Sequence, residues 1–312
     1  MGILPAFFYL LWHGRLAHDL HMLRFLFIAF LFPTLLAADS YKLDPGFPQL
    51  PKDIKLAEVS GVAINSAGDI FIFHRGQQPI IAFDKTGKFL RSFGEGTKSA
   101  HGLRCDPADN VWATDVVSHT VTQFAPDGKV LLTLGEKGVA GEDETHFNKP
   151  TDIAFAPDGN FFVSDGYGNS RVVKFSKGGK FLLAWGKKGT GEGEFNTPHA
   201  VRFDSKGNLY VGDRENDRVQ VFDQNGKFIR TFGGFAPYGL FITPDDTLFV
   251  ADGRAHHVMK MTLDGKILDT FGKLGPEPGH FFLPHGITVD KDGAVYVTEI
   301  NGKRVQKFIP TK

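Results

Sequence analysis

The chain has 312 residues, 42% of them apolar, and 35 basic against 35 acidic side chains. That length can bury a large core in one all-β domain or in two smaller ones, and the charge balance removes any global electrostatic case for nucleic acid or an anionic membrane as partner. Cys105 is the single cysteine, which excludes an intrachain disulfide and a thiolate metal cluster, while 31 Phe and 37 Gly suit short aromatic-rich strands joined by tight turns.

Residues 1–38 read as a targeting region. From Met22 the order MLRFLFIAFLFPTLLAADS gives one positive charge, an apolar run over 25–36, then Ala37, Ala38 and a polar start, which is the arrangement of a secretory signal over 22–38. The apolar run is about 12 residues long, against the ~20 that a bilayer span requires. The expected location is secreted or periplasmic. A membrane-anchoring N-terminal hairpin, drawing on the earlier apolar patch ILPAFFYLLW, is the alternative, and the membrane is then touched only through that uncleaved segment.

From residue 55 one pattern returns. Its first strand appears as SGVAIN (60), HGLRCD (101), TDIAFA (151), HAVRFD (199), YGLFIT (238) and HGITVD (285), at intervals of 41, 50, 48, 39 and 47 residues. The last two strands of the unit appear as FDKTGKFLRSFG, FAPDGKVLLTLG, FSKGGKFLLAWG, FDQNGKFIRTFG and MTLDGKILDTFG. Four alternating strands per unit describe a β-propeller blade, and six copies predict one six-bladed domain over 39–312. The sixth copy stops at VQKFIP after three strands, and IKLAEV at 54–59 is a spare strand-like segment ahead of the first copy. That N-terminal segment is expected to complete the last blade and close the ring, leaving no open edge.

In a propeller the first strand of each blade lines the central channel. The equivalent opening positions are Ser60, His101, Thr151, His199, Tyr238 and His285, so histidine takes every second blade. Alternate blades of a six-fold ring stand roughly 120° apart, and three imidazoles facing one another across one mouth are the ligand set of a catalytic zinc site with a free fourth position. His146, His280, His256 and His257 fall in loops and turns and read as solvated or structural. The second strand runs back to the same rim, ending in His74, Asp115, Asp165, Asp213, Asp252 and Glu299. The recurrence of Asp there suggests turn chemistry, a carboxylate accepting from loop N–H groups. The residues just beyond differ between blades: Arg75, Tyr167 and Arg214. Two arginines and a tyrosine beside a cation suit an anionic, oxygen-rich substrate, since arginine clamps a carboxylate and a tyrosine near positive charge can have its pKa lowered enough to act as a base.

The repeats resemble the NHL repeat across nearly all of residues 55–309, a likeness specific to the fold and silent on activity. A narrower likeness rests on IFHRG, HGL, KPTDIA, SDGYGNSRVVKFS, GKFLLAWG, PHAV, DREN and LPHGI, in that order over residues 62–286. These segments resemble the peptidyl-α-hydroxyglycine α-amidating lyase family. The resemblance implies zinc on His101, His199 and His285, a catalytic Arg75 and Tyr167, and Arg214 against the substrate carboxylate. It also implies cleavage of the C–N bond of a peptidyl-α-hydroxyglycine, or amidoglycolate, to an amide and glyoxylate. A structural calcium is implied too, on the backbone oxygens of Val62 and Leu103 and on an acidic side chain directly after the third histidine. That position is Gly286, which leaves calcium open, and Gly168 stands where a family cysteine would follow the tyrosine. The expected partner is a peptide or small-molecule substrate bearing a carboxylate, supplied by a separate hydroxylating enzyme because signal and propeller fill the chain. Two other readings stand beside this one. A metal-dependent hydrolase such as a lactonase would use the same ring to activate water, and a non-catalytic NHL scaffold would bind a protein or glycan on its rim.

Overall fold

The structure, a computed structural model, describes residues 40–311, so the targeting region expected over 1–38 lies outside the described residues. Period-two alternation and glycine turns are realised as six four-stranded antiparallel sheets. The inner strands are Val59–Ile64, Ala100–Cys105, Asp152–Phe155, Pro198–Phe203, Pro237–Ile242 and Pro284–Val289. The turns that join the third and fourth strands need a backbone that side chains resist, as at Gly87 in DKTGK with φ of +86°. Helix is confined, among the described residues, to one 3-10 turn at Arg214–Asn216.

Burial grades outward from the channel. The middle strands Phe161–Asp165 and Arg171–Phe175 are buried along their whole length, whereas the outer strand Phe228–Gly233 alternates half-buried and exposed residues. A sheet buried on both faces needs a neighbour on each side, and the core accordingly divides into one apolar cluster per blade junction. Phe71, Phe73 and Ile80 of blade one meet Leu103, Val111 and Phe124 of blade two. The junction that closes the ring sets Tyr296 and Val305 of blade six against Val59, Ile72 and Ile81 of blade one. Each fully buried apolar side chain contributes about 1.5–3 kcal/mol, so packing between blades holds the ring.

The closing strand is not the one expected from the pattern. Tyr41–Leu43 pairs antiparallel with Arg304–Pro310, Tyr41 opposite Pro310 and Leu43 opposite Phe308. Residues 54–58 form no strand. Their alternation serves packing instead, for Ile54 is buried in the cluster between blades six and one and Leu56 packs against it. Only Val59 of IKLAEV joins a sheet, as the first residue of blade one. The ring is still closed by an N-terminal strand completing the last blade, but that strand begins 13 residues earlier than the segment proposed for it.

Candidate metal centre

The ring positions are set by a local irregularity of the inner strands. Pairing with the second strand shifts register between Val59 and Gly61, Ala100 and Leu103, Pro198 and Ala200, Pro237 and Gly239, and Pro284 and Ile287. Each shift skips Ser60, His101, His199, Tyr238 or His285, and a bulge of this kind turns a side chain out of the blade junction.

His101, His199 and His285 are 1%, 1% and 5% exposed, with ring centroids 4.6 to 4.8 Å apart. Each Nδ1 donates to a backbone carbonyl of the next blade: His101 to Thr151 at 2.6 Å, His199 to Tyr238 at 2.6 Å and His285 to Ser60 at 2.8 Å. The non-histidine ring positions thus supply the acceptors that orient the histidines. A carbonyl only accepts, so Nδ1 carries the proton and each Nε2 presents a lone pair. Burial holds His101 and His199 well below the ordinary imidazole range, helped by the neighbouring imidazoles and by Arg214, and pushes His285 down to about 3. The imidazoles are therefore neutral at pH 7.

Three bare lone pairs consequently converge. The ligand atoms lie within 4.8 Å of one another, and Nε2 of His101 is 3.1 Å from Nε2 of His199 with no hydrogen between them. Nitrogens bound tetrahedrally at 2.0–2.1 Å from one ion would stand about 3.4 Å apart. The residues fit a zinc-sized cation: three neutral imidazole donors, each oriented through Nδ1, with their ligand atoms within 4.8 Å of one another.

The rim residues named from the sequence assemble over this trio. The Tyr167 oxygen is 3.1 Å from Nε2 of both His101 and His199 and accepts from Arg214 Nη1 at 3.0 Å. Arg214 lies between two rings, 5.1 Å from the Tyr167 centroid and 4.7 Å from that of Tyr238, and its Nε and Nη2 both meet Glu215 Oε1 at 2.7 Å. Glu215 is in turn paired with Arg254. Arg75 is exposed and tethered through Nε to the Ala100 carbonyl at 3.3 Å. Among the protein's own groups the expected lowering of the Tyr167 pKa does not result: burial raises it, and outweighs the opposite pull of Arg214 and Arg75.

The second-strand carboxylates are occupied within the rim loops. Asp115 accepts from the backbone N–H groups of Lys98, Ser99, Val117 and Ser118, and Asp213 from Asn196 N–H and Arg218 Nε. Glu299 accepts from Phe282 N–H and Arg304. Among the remaining histidines, His146 pairs with Asp143 and Glu136, His280 with Glu277, and His256 accepts from Leu283 N–H. His257 stands 4.0 Å from Asp252.

Val62 and Leu103 are placed differently from expectation. Their carbonyls accept from Arg104 Nη1 at 3.3 and 2.7 Å. These residues do not fit calcium. Sequence reasoning also passed over Tyr238 and Glu215 as parts of the site. The signal for Tyr238 was its ring position, aromatic where Ser60 and Thr151 are small.

Residues 147–175, 195–222 and 283–308 match the NHL repeat family. "Peptidyl-glycine alpha-amidating monooxygenase B" of Xenopus laevis is 33% identical over 306 residues, covering 83% of this chain and 35% of that protein. The chain thus spans about a third of that relative's length. The Caenorhabditis elegans protein named "Probable peptidyl-alpha-hydroxyglycine alpha-amidating lyase" is 31% identical over 292 residues, 80% of this chain and 82% of that protein. Human "NHL repeat-containing protein 3" is 32% identical over 299 residues, 86% of this chain and 84% of that protein.

Proposed function

The chain belongs to the peptidyl-α-hydroxyglycine α-amidating lyase family, and from that premise we propose that it is a zinc-dependent carbon–nitrogen lyase releasing an amide and glyoxylate from an N-acylated α-hydroxyglycine. The observation that supports this reading most directly is the convergence of three bare Nε2 atoms on a point beside the Tyr167 oxygen, with Arg214 directly behind it.

Such a substrate carries a carboxylate, a hydroxyl and an amide nitrogen on one carbon, and the site offers a partner for each. Zinc held by His101, His199 and His285 would supply Lewis-acid chemistry, lowering the pKa of a hydroxyl bound to it. Arg214, held rigid by two aromatic faces and Glu215, binds the carboxylate and fixes which way the reacting carbon faces. Tyr167 as phenolate takes the hydroxyl proton. Arg214 and Arg75 favour that phenolate but burial outweighs them, so the phenolate would depend on the positive charge of a cation held by the three histidines. Arg75 stabilises the negative charge as it develops. The freed electron pair forms the aldehyde carbonyl while the C–N bond breaks, and Tyr167 returns the same proton to the departing nitrogen, so that an amide and glyoxylate leave with no atom unaccounted for.

The apolar run at 25–36 supports an exported enzyme, acting on a peptide or small-molecule amidoglycolate made by a separate hydroxylating enzyme. The test is glyoxylate release from α-hydroxyhippurate by protein carrying one zinc per chain. Fully metallated protein that releases none sinks the reading.

A further inference from the structure

Behind the histidines the channel holds three charged side chains. Arg104 and Arg202 occupy the same place in blades two and four, three residues after His101 and His199, and Asp152 opens the inner strand of the blade between them. Asp152 Oδ2 accepts from Arg104 Nη2 at 3.0 Å and from Arg202 Nη1 at 2.8 Å, and the three side chains are 3 to 13% exposed. Each guanidinium also turns toward the inner-strand carbonyls. Arg104 Nη1 donates to Leu103 of its own blade and, at 3.3 Å, to Val62 of the blade before. Arg202 repeats the pattern, donating to Val201 of its own blade and, at 3.5 Å, to Ile153 of the blade before.

This is the layer in which the family resemblance implies calcium, and the residues present disagree with it on three counts. The two carbonyls that would ligate a cation already accept N–H groups from Arg104, and calcium needs six to eight oxygen ligands turned toward it. The acidic position is Gly286, where a Cβ atom would stand 2.6 Å from the Ser60 oxygen and 2.8 Å from Thr298 Oγ1, so no side chain fits there. The triad holds two positive charges and one negative, so a divalent cation would enter a site that is already positive. The ring does contain an acidic residue at that level, moved to the opposite side. Asp152 follows Thr151 as Gly286 follows His285, three blades away, and its Oδ2 accepts from the two guanidinium groups and from the Val201 N–H, while its Oδ1 has no hydrogen-bond partner among the described residues.

We propose that the Arg104–Asp152–Arg202 triad takes the place of an internal divalent cation: two guanidinium groups bridged by one carboxylate tie blades one to four through the channel, and the folded protein binds no calcium there. The two parts of this proposal are separately measurable, and neither depends on the lyase activity.

Zinc-loaded protein is freed of other metals by passage over a chelating resin, zinc is restored, and calcium content and thermal midpoint are measured with and without 5 mM CaCl₂. The expected result is substoichiometric calcium and a midpoint shift below about 1 °C; one calcium per chain with a saturable rise of several degrees overturns the proposal. Arg104→Met and Arg202→Met each break a buried ion pair and are expected to lower the midpoint by more than about 5 °C. Wild-type midpoints in both variants would overturn the tie. If a variant fails to fold, the calcium titration of the unaltered protein still decides.

Discussion

His199 Nδ1 donates to the carbonyl of Tyr238 at 2.6 Å, and the ring of the same Tyr238 lies 4.7 Å from the Arg214 guanidinium. One residue thus orients a candidate metal ligand through its backbone and, through its side chain, the arginine proposed to hold the substrate carboxylate. Tyr238→Ala removes the second contact and keeps the first. A cation–π contact is worth about 0.5–2 kcal/mol, so KM should rise about 3- to 30-fold with zinc content unchanged, and Tyr238→Phe should stay near wild type. Loss of zinc in Tyr238→Ala would show that the ring, not the carbonyl, positions His199.

His199→Ala leaves two imidazoles where the geometry provides three. Zinc, measured by mass spectrometry after dialysis, is expected to fall from one per chain to a small fraction, and glyoxylate production with it by at least about 100-fold. Variant protein that keeps stoichiometric zinc and activity would place the metal elsewhere.

Tyr167→Phe deletes the oxygen that stands 3.1 Å from Nε2 of His101 and His199 and accepts from Arg214, and leaves in place both the three imidazoles and the arginine proposed to hold the carboxylate. General acid–base catalysis is worth about 10²–10⁴ in rate. The expectation is a loss of that size in kcat with KM changed less than about three-fold and zinc retained. A change confined to KM would reassign Tyr167 to binding.

The three histidines make metal-free protein sensitive to acid. Their folded pKa values lie below the unfolded value near 6.5, with His285 at about 3. Well above pH 6.5 neither state is protonated and stability is whole. As pH falls below 6.5 the unfolded chain takes up protons that the folded chain does not, so each histidine removes up to about 1.4 kcal/mol of stability per pH unit. For His285 this continues toward pH 3. Urea unfolding of metal-free protein should show a midpoint that falls between pH 7 and pH 5, and falls less in His285→Asn. A flat midpoint would mean that the imidazoles ionise in the folded state.

Tyr41 is 8% exposed and stacks on Phe271 at 4.7 Å while its strand completes blade six. Tyr41→Ala is expected to cost about 3 kcal/mol, read as a lower urea midpoint with an unchanged denaturant slope. A cost below about 1 kcal/mol would show that the closing strand contributes little.

The parts legible in the sequence were those written as a period. Six returns of one strand phrase gave the blades, and histidine in alternate phrases gave the trio, because equivalent positions of a ring must face one centre. The closing strand was missed because three residues, Tyr41–Leu43, carry no measurable alternation, whereas IKLAEV alternates for a different reason, its Ile54 and Leu56 packing into the cluster between blades six and one. The carbonyls that orient His101, His199 and His285 could not be read, since every residue has one and only the fold chooses which is used. Arg104 and Arg202 were visible in HGLR and HAVR, but only the channel brings them to Asp152.

The pairing of Tyr41–Leu43 with Arg304–Pro310 has a consequence for how the molecule comes apart. A solenoid of repeats has two terminal units that can fray singly while the rest stays folded. Here the earliest strand and the last lie side by side in one sheet, and each blade junction has its own apolar cluster. Peeling any one blade away bares two junctions at once, so the ring has no cheap first step of disassembly and should lose its structure, and with it the convergence of the three histidines, in a single transition.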